Sequence, residues 1–412
     1  MKKYFLAVAS FFIYSHISLG QVYPGQMDST FVPVRSHHYD PELTFDFCVN
    51  EPAWSNQAGI HSAFGSTDRL YFRKEVPVNH DNDLSSSYST TVWRGERANA
   101  QILVWSSEAL EQVRVSTQDL RSAEGNIIPK DRITFELVRY VLSNYPYAEK
   151  KAICGESPYK SGFLMPDRFE TLDRFDLPSQ TTRPVWMMVD VPRGTVPGTY
   201  KGQVEVRAKG KAPQLLNLEI VVQNQLLPYP KDWKYRLDLW QNPWAVAWYN
   251  HVEPWSPEHK MLLKQHLKHY ADAGGTYITT YGVHSPWSDN SYMIEGGMIE
   301  WIKKADGTWA FDYKIFDEYV ELAMECGIDE AITLYTPIPW GFRHRYKDEA
   351  TGDYSYINWA PSSEEFKKMW NIFLTDFKFH LEAKSWLDIT YIGINENPME
   401  ETLAAINSRA QP

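Results

Sequence analysis

A chain of 412 residues with a net charge of −11 and no basic stripe or tail lacks the electrostatic basis for binding nucleic acid. Its three cysteines, Cys48, Cys154 and Cys326, lie far apart without metal-ligand spacing and allow at most one disulfide, so stability must come from packed cores. The length has room for about two or three domains. Residues 1–20 read as a signal peptide: Lys2 and Lys3 are the charged region, Tyr4 to Ile17 the apolar core, and Ser18-Leu19-Gly20 a small-residue cleavage site. No cysteine follows at the lipoprotein position and no other apolar segment is long enough to span a bilayer. The expectation is a secreted or periplasmic protein with no stable membrane insertion after cleavage.

Residues 21–95 read as a first, less regular β-rich module and 96–225 as a β-sandwich. The run from Thr91 to Trp105 alternates, and so do Val185–Val191, Gly198–Val206 and Leu215–Val222, with turn signals at 192–198 and 209–213 between them. Short strands at this spacing suggest sandwich modules. Residues 226–234, with Pro228 and Pro230, form the expected linker. From residue 235 the pattern changes. Tyr235–Leu239 is a strand candidate, and Ser256-Pro257 opens a helix that Gly274-Gly275 closes. Strand 276–280 follows, then a hairpin-like insert from Met298 to Phe311 around Asp306-Gly307. A helix over Tyr313–Cys326 leads to strand Ala331–Leu334 and a long loop. A helix from Ser362 to about Lys384 leads to strand Asp388–Ile394.

Four strand–helix units in series argue for a parallel sheet with right-handed crossovers. A (β/α)8 barrel takes about 250 residues. Residues 235–412 are therefore expected to hold only the first four units of an incomplete (β/α)8 TIM-type catalytic domain, behind N-terminal all-β sandwich modules. A complete, open doubly wound domain is the alternative.

Twelve of the sixteen tryptophans follow residue 230, many beside Pro, Asn, Ser or Gly. Flat aromatic faces on loops suit stacking on sugar rings, and equally an aromatic-rich core. The most specific feature is Asn395-Glu396-Asn397-Pro398 at the end of the last strand. Polar residues there lie at the C-terminal rim of a parallel strand, where barrels carry their chemistry. A glutamate with a neighbouring amide can protonate a glycosidic oxygen; a strand ending in an Asn/Pro turn is the plainer reading. The same rim offers Trp240, Asn242, Tyr281, Trp287, Tyr335 and Trp340 as substrate-binding candidates. His284 and His344 have no partner at metal spacing, so no metal site is expected.

The segments Leu237–Trp244, Trp255–His259, Ala271–Thr280, Asp306–Asp312, Ile315–Val320 and Tyr391–Glu400 resemble proteins of glycoside hydrolase family 123. Upstream, the stretch Trp93–Arg97 and Pro197–Gly202 are similar to that family's N-terminal region. The resemblance implies an exo-acting β-N-acetylgalactosaminidase working with retention and without a cofactor on a glycan or glycoconjugate. The sugar's own 2-acetamido oxygen attacks the anomeric carbon, so no protein nucleophile is needed. Glu396 takes the position of the general acid and base. Asn395 stands where the family has an aspartate that orients and stabilises the acetamido group. A neutral amide loses the Coulombic stabilisation of the oxazolinium charge, although family 85 pairs an Asn with its Glu in the same type of mechanism. Two further readings stay open. Barrels of the clan containing families 1, 2 and 5 also end strand four in Asn-Glu but supply a protein nucleophile after strand seven, and a sugar-binding or decayed paralogue would have no turnover.

Overall fold

Two sheets built from strands between residues 61 and 226 cover each other's apolar faces, and the strands over 198–222 bury about every second side chain. The computed structural model describes residues 51–77, 84–143, 163–171, 173–286 and 296–394. The expected signal peptide at 1–20 lies outside the described residues. A short helix α1 (Glu51–Trp54) precedes strands β1 (His61–Gly65), β2 (Ser87–Arg94), β3 (Arg97–Ser106), β4 (Leu110–Thr117), β5 (Leu120–Arg121) and β6 (Ile127–Ile128). Then come β7 (Ile133–Ser143), β8 (Phe163–Thr171), β9 (Phe175–Leu177), β10 (Thr181–Asp190), β11 (Gly198–Arg207) and β12 (Gln214–Leu226). One sheet has the order β1-β3-β10-β7-β8; the other has β2-β12-β11-β4-β9, with β5 and β6 attached to β11.

Strand β12 shows the physical basis. Leu216, Leu218, Ile220 and Val222 are buried while Leu215 and Asn217 face out. They share one core with Ile102, Val104, Val185 and Met187. Each such burial contributes about 1.5–3 kcal/mol. Strand β3 is buried on both faces, because Leu103 and Trp105 join a second cluster with Trp54, Ala63 and Tyr71.

Two expectations change here. The alternating run from Thr91 to Trp105 is two strands, broken at Gly95 (φ +85°), and β2 and β3 belong to different sheets. The division expected near residue 95 also separates no sheets, since β1 pairs with β3 and β2 with β12. The described residues up to Leu227 form one compact unit, and a second begins at Pro228.

The second unit contains helices α2 (Pro243–Tyr249), α3 (Pro257–Asp272), α4 (Lys314–Glu325) and α5 (Glu364–Lys384). Its strands are β13 (Tyr277–Tyr281), β14 (Glu300–Lys303), β15 (Trp309–Asp312), β16 (Ala331–Tyr335), β17 (Arg343–Asp348), β18 (Tyr354–Asn358) and β19 (Thr390–Ile392). Strands β13, β16 and β19 pair in parallel in that order. Ser256 caps α3 by accepting from the His259 N–H, and Ser363 caps α5 by accepting from the Phe366 N–H. Helix α5 buries Phe366, Met369, Trp370, Phe373, Phe377 and Leu381, a stripe at helical spacing. With Ile278, Ile332 and Leu334 of the sheet and Phe316 and Val320 of α4, they form one core.

The first expected strand, Tyr235–Leu239, is reduced to a single parallel bridge between Leu237 and Gly275. The Tyr270 hydroxyl takes the place of a ladder. It lies 2.7 Å from the Leu237 carbonyl, 2.9 Å from the Tyr277 carbonyl, and accepts from the Leu239 N–H at 3.2 Å. The parallel sheet of the described residues is therefore three strands with a fourth tethered segment, and it is not closed into a barrel. The stretch expected as a long loop after the third unit instead forms the β17–β18 hairpin. This hairpin joins the insert to make a four-stranded sheet in the order β15-β14-β17-β18. Trp301 of β14 stacks on Phe373 at 4.8 Å and donates its indole N–H to the Gly282 carbonyl at 2.9 Å, fixing that sheet to the end of β13. Among the described residues no helix is long and apolar enough to cross a membrane.

Candidate active site

Parallel pairing brings the C-terminal ends of the strands to one rim. Register sets Tyr281 beside Tyr335, and one row lower on the same face Thr279 beside Thr333 and Tyr391. The opposite face carries Ile278, Ile332 and Leu334 against the helices, so the two faces differ in chemistry: apolar toward the helices, hydroxyl-rich on the other side. Tyr391 on that second face is 58% exposed.

Trp240 and Tyr335 meet at the rim, with ring centroids 5.1 Å apart and tilted by 42°. Tyr335 is buried beneath, whereas Trp240 remains 47% exposed. This pair is the open aromatic surface among the candidates. Tyr281 is buried; its ring lies 5.2 Å from Trp244 and its hydroxyl donates to the Gln241 carbonyl at 2.8 Å. It supports the loop that carries Trp240 and offers no open ring face. Asn242 is the N-cap of α2, its side-chain oxygen accepting from the Ala245 N–H at 3.2 Å. Trp340 is half-buried on a 3-10 turn, held by its backbone N–H to the Pro286 carbonyl at 2.8 Å. Trp287, Asn395 and Glu396 lie outside the described residues.

The last described residues still define how the chain approaches the rim. The Gly393 N–H donates to the Leu334 carbonyl at 2.8 Å. A Cβ at position 393 would lie 3.1 Å from Thr333 Cγ2 and 3.2 Å from Tyr335 Cδ2. Glycine thus lets the fourth strand pass close over the Tyr335 ring, and the sequence then runs through Ile394 to Asn395-Glu396.

Two histidines near the rim are structural. His259 Nδ1 accepts from the Trp255 N–H at 2.8 Å, so Nε2–H donates to the Pro243 carbonyl at 2.9 Å; burial lowers its pKa and keeps it neutral. It anchors the start of α2 and hence the Trp240 loop. His344 is buried among Trp359, Trp370 and Phe366, between the Phe342 carbonyl at 3.2 Å and the Trp370 indole N–H at 3.3 Å. Burial lowers its pKa to about 4. Among the described residues no group of three His, Cys, Asp or Glu converges on a metal position.

Asp238 is a rim residue that sequence reasoning passed over. One side of it is open, but packing on the other raises its carboxyl pKa against the opposing hydrogen bond from Thr279 Oγ1 at 3.2 Å. The available signal was an acid between Leu237 and Leu239, alternating onto the face opposite the leucines.

The glycoside hydrolase 123 catalytic domain matches residues 240–410, and the glycoside hydrolase 123 N-terminal domain matches residues 64–208. Among solved structures, a family 123 glycoside hydrolase from Clostridium perfringens, studied for glycolipid glycan hydrolysis, superposes with a TM-score of 0.74 at 26% identity. The match covers 85% of this chain and 60% of that one, so the chain spans about 60% of the length of this relative. The PapD-like domain 7 of human CEP192 is far more distant: TM-score 0.22 and 12% identity over 45% of this chain and 99% of that one. Comparison with curated proteins gives no match. Two domains of one family, matched in order and joined by a common fold, place the chain in the glycoside hydrolase 123 family.

Proposed function

We propose that the chain carries the N-terminal and catalytic domains of a glycoside hydrolase. It removes a terminal β-linked 2-acetamido sugar, N-acetylgalactosamine, from a glycolipid or related glycoconjugate with retention of configuration. The observation that carries this reading is the catalytic-domain match over 240–410, which includes Asn395-Glu396. The rim geometry supports it: the strand leading to that pair passes over Tyr335, which in turn backs the exposed Trp240 ring. The open parallel sheet, with helices on one face and hydroxyl-bearing side chains on the other, supports reading it as the first part of a (β/α)8 barrel. An amino-terminal export signal fits an extracellular glycan substrate.

In this mechanism the protonated Glu396 gives its proton to the glycosidic oxygen as the bond to the anomeric carbon breaks. The acetamido carbonyl oxygen bonds to that carbon from the opposite face, forming the oxazolinium ion and releasing the aglycone as an alcohol. Glu396, now a carboxylate, takes a proton from water as the water oxygen attacks the anomeric carbon. The acetamido group is regenerated and the β-configuration kept. Asn395 holds the acetamido group in line by hydrogen bonding, and Trp240 supplies an apolar face for the sugar ring.

Replacing Glu396 by Gln removes the transferable proton at constant size. The expected result is a fall in turnover of a 4-nitrophenyl 2-acetamido-2-deoxy-β-galactoside by about 10²–10⁴-fold, with an unchanged circular dichroism spectrum. Undiminished hydrolysis in E396Q would remove Glu396 from the chemistry.

A further inference from the structure

The five-stranded sheet of the sandwich has an outer face that neither the inter-sheet core nor the proposed reaction uses. Val185, Met187 and Val189 of β10 point into the core, so alternation turns Trp186 and Met188 outward. Register sets Trp186 between Gln101 of β3 and Glu136 of β7, and Glu136 beside Thr171 of β8. Phe169 of β8 shares this face, its ring 5.6 Å from that of Trp186 and tilted by 31°. Phe169 is 50% exposed, so the pair is an aromatic platform open to solvent. Gln101 marks its border. Its amide N–H groups donate to the carbonyls of Ser66 at 2.8 Å and Arg69 at 3.2 Å, where the chain before β2 covers the sheet.

Polar groups at fixed positions frame the rings. The Trp186 indole N–H, which can only donate, holds the Asn99 side-chain oxygen at 3.2 Å. That contact fixes the Asn99 amide and leaves its NH2 group as a donor without a partner among the described residues. On the other side the Thr171 hydroxyl donates to Glu136 Oε1 at 3.0 Å, which leaves Oε2 to accept. At the end of the face Arg97 and Asp190 neutralise each other at 2.6 Å, so the charge beside the rings is the single negative one of Glu136. An anionic ligand is repelled here. A purely apolar partner would strip water from the amide and the carboxylate without replacing their hydrogen bonds. The fit is to a neutral ligand with an apolar face about one ring wide, edged by hydroxyls that both donate and accept.

We infer that this face is a saccharide-binding site on the sandwich unit that takes a neutral, galactose-configured sugar. On a β-galactoside the axial hydroxyl at C4 stands on one side of the ring, which leaves the C–H groups at C3, C4 and C5 as one apolar patch on the other. That patch lies on Phe169 and Trp186, while hydroxyls at its edge accept from Asn99 Nδ2 and donate to Glu136 Oε2. The choice of a galactose-configured sugar rests on the proposed glycoside hydrolase activity; the site itself rests on the ring pair and its polar frame. Such a site holds the protein on a glycan while the rim of the second unit acts on a terminal sugar.

Calorimetric titration of the full chain with lactose and with cellobiose, whose terminal sugar differs only at C4, tests it. Lactose is expected to bind at least about tenfold more tightly than cellobiose. Phe169→Ala, at an exposed position, should lose about tenfold toward lactose with an unchanged circular dichroism spectrum. Its rate on the 4-nitrophenyl 2-acetamido galactoside should stay that of the parent. Asn99→Asp keeps an oxygen for the indole but removes the donor, and should also lose about tenfold toward lactose. Full lactose affinity in either variant, or cellobiose binding as tightly as lactose, would overturn the proposal. So would a dimer of the parent in sedimentation that Phe169→Ala dissociates, since the face would then be a contact between copies of the chain. The titration needs no turnover, so absence of hydrolysis would defeat the proposed activity while leaving this result readable.

Discussion

Trp240 and Tyr335 touch the same contact from opposite sides of the surface, and the physics assigns them different jobs. Tyr335 is buried in the core of the second unit, so removing its ring leaves a cavity. Trp240 keeps nearly half its surface in solvent and loses little by truncation. Tyr335→Ala is expected to cost about 3–5 kcal/mol of unfolding free energy. Trp240→Ala should cost no more than about 1.5 kcal/mol and raise KM for the glycoside about tenfold. Urea unfolding and initial rates on the two variants check this, and equal destabilisation by both would show that Trp240 is a packing residue. Sequence alone did not separate them, because an aromatic residue after a strand reads the same whether its ring turns into the core or outward. The Asn242 amide shows the same limit: at the rim it is a candidate sugar ligand, and in the structure its oxygen is the cap of α2.

Elements whose ends carry strong local signals were the legible ones. Helices α3 and α5 begin at serine caps, and α4 stops ahead of Gly327 at φ +90°. Strands β10, β11 and β12 lie within a few residues of their expected places, and β11 and β12 alternate. The hairpin β17–β18 was not legible. Arg343, Arg345 and Lys347 occupy its outer positions, so a charged run masks the period-two pattern that His344 and Tyr346 share inward. Helix α2 was missed because Asn242-Pro243 reads as a turn as readily as a cap and first turn. The first parallel strand was overcalled for a reason of close packing. At Gly275 an added Cβ would meet the Tyr270 ring at 2.2 Å, and the Tyr270 hydroxyl carries the backbone contacts a ladder would have made. Gly275→Ala should therefore unfasten the Leu237 segment from β13. The expected loss is about 1–3 kcal/mol, with faster amide exchange at Leu239, and unchanged exchange there would show that the tyrosine is not the fastener.

At the scale of the whole molecule, the order of elements was more informative than any of them singly. Strand–helix units in series called for a parallel sheet, and β13, β16 and β19 do pair in parallel in chain order. Two matched domains of one family then connect that sheet, and the sandwich before it, to glycoside hydrolase family 123. The substitution of Asn395 for the aspartate that the family resemblance implies makes the role of the acetamido group the central question. Initial rates on 4-nitrophenyl 2-acetamido-2-deoxy-β-galactoside and on its 2-hydroxy counterpart address it most directly. Substrate assistance predicts turnover of the acetamido sugar and a 2-hydroxy rate at least about a hundredfold lower, since the internal nucleophile supplies a large effective molarity. Equal rates on the two glycosides would contradict the account and require a nucleophile from the protein.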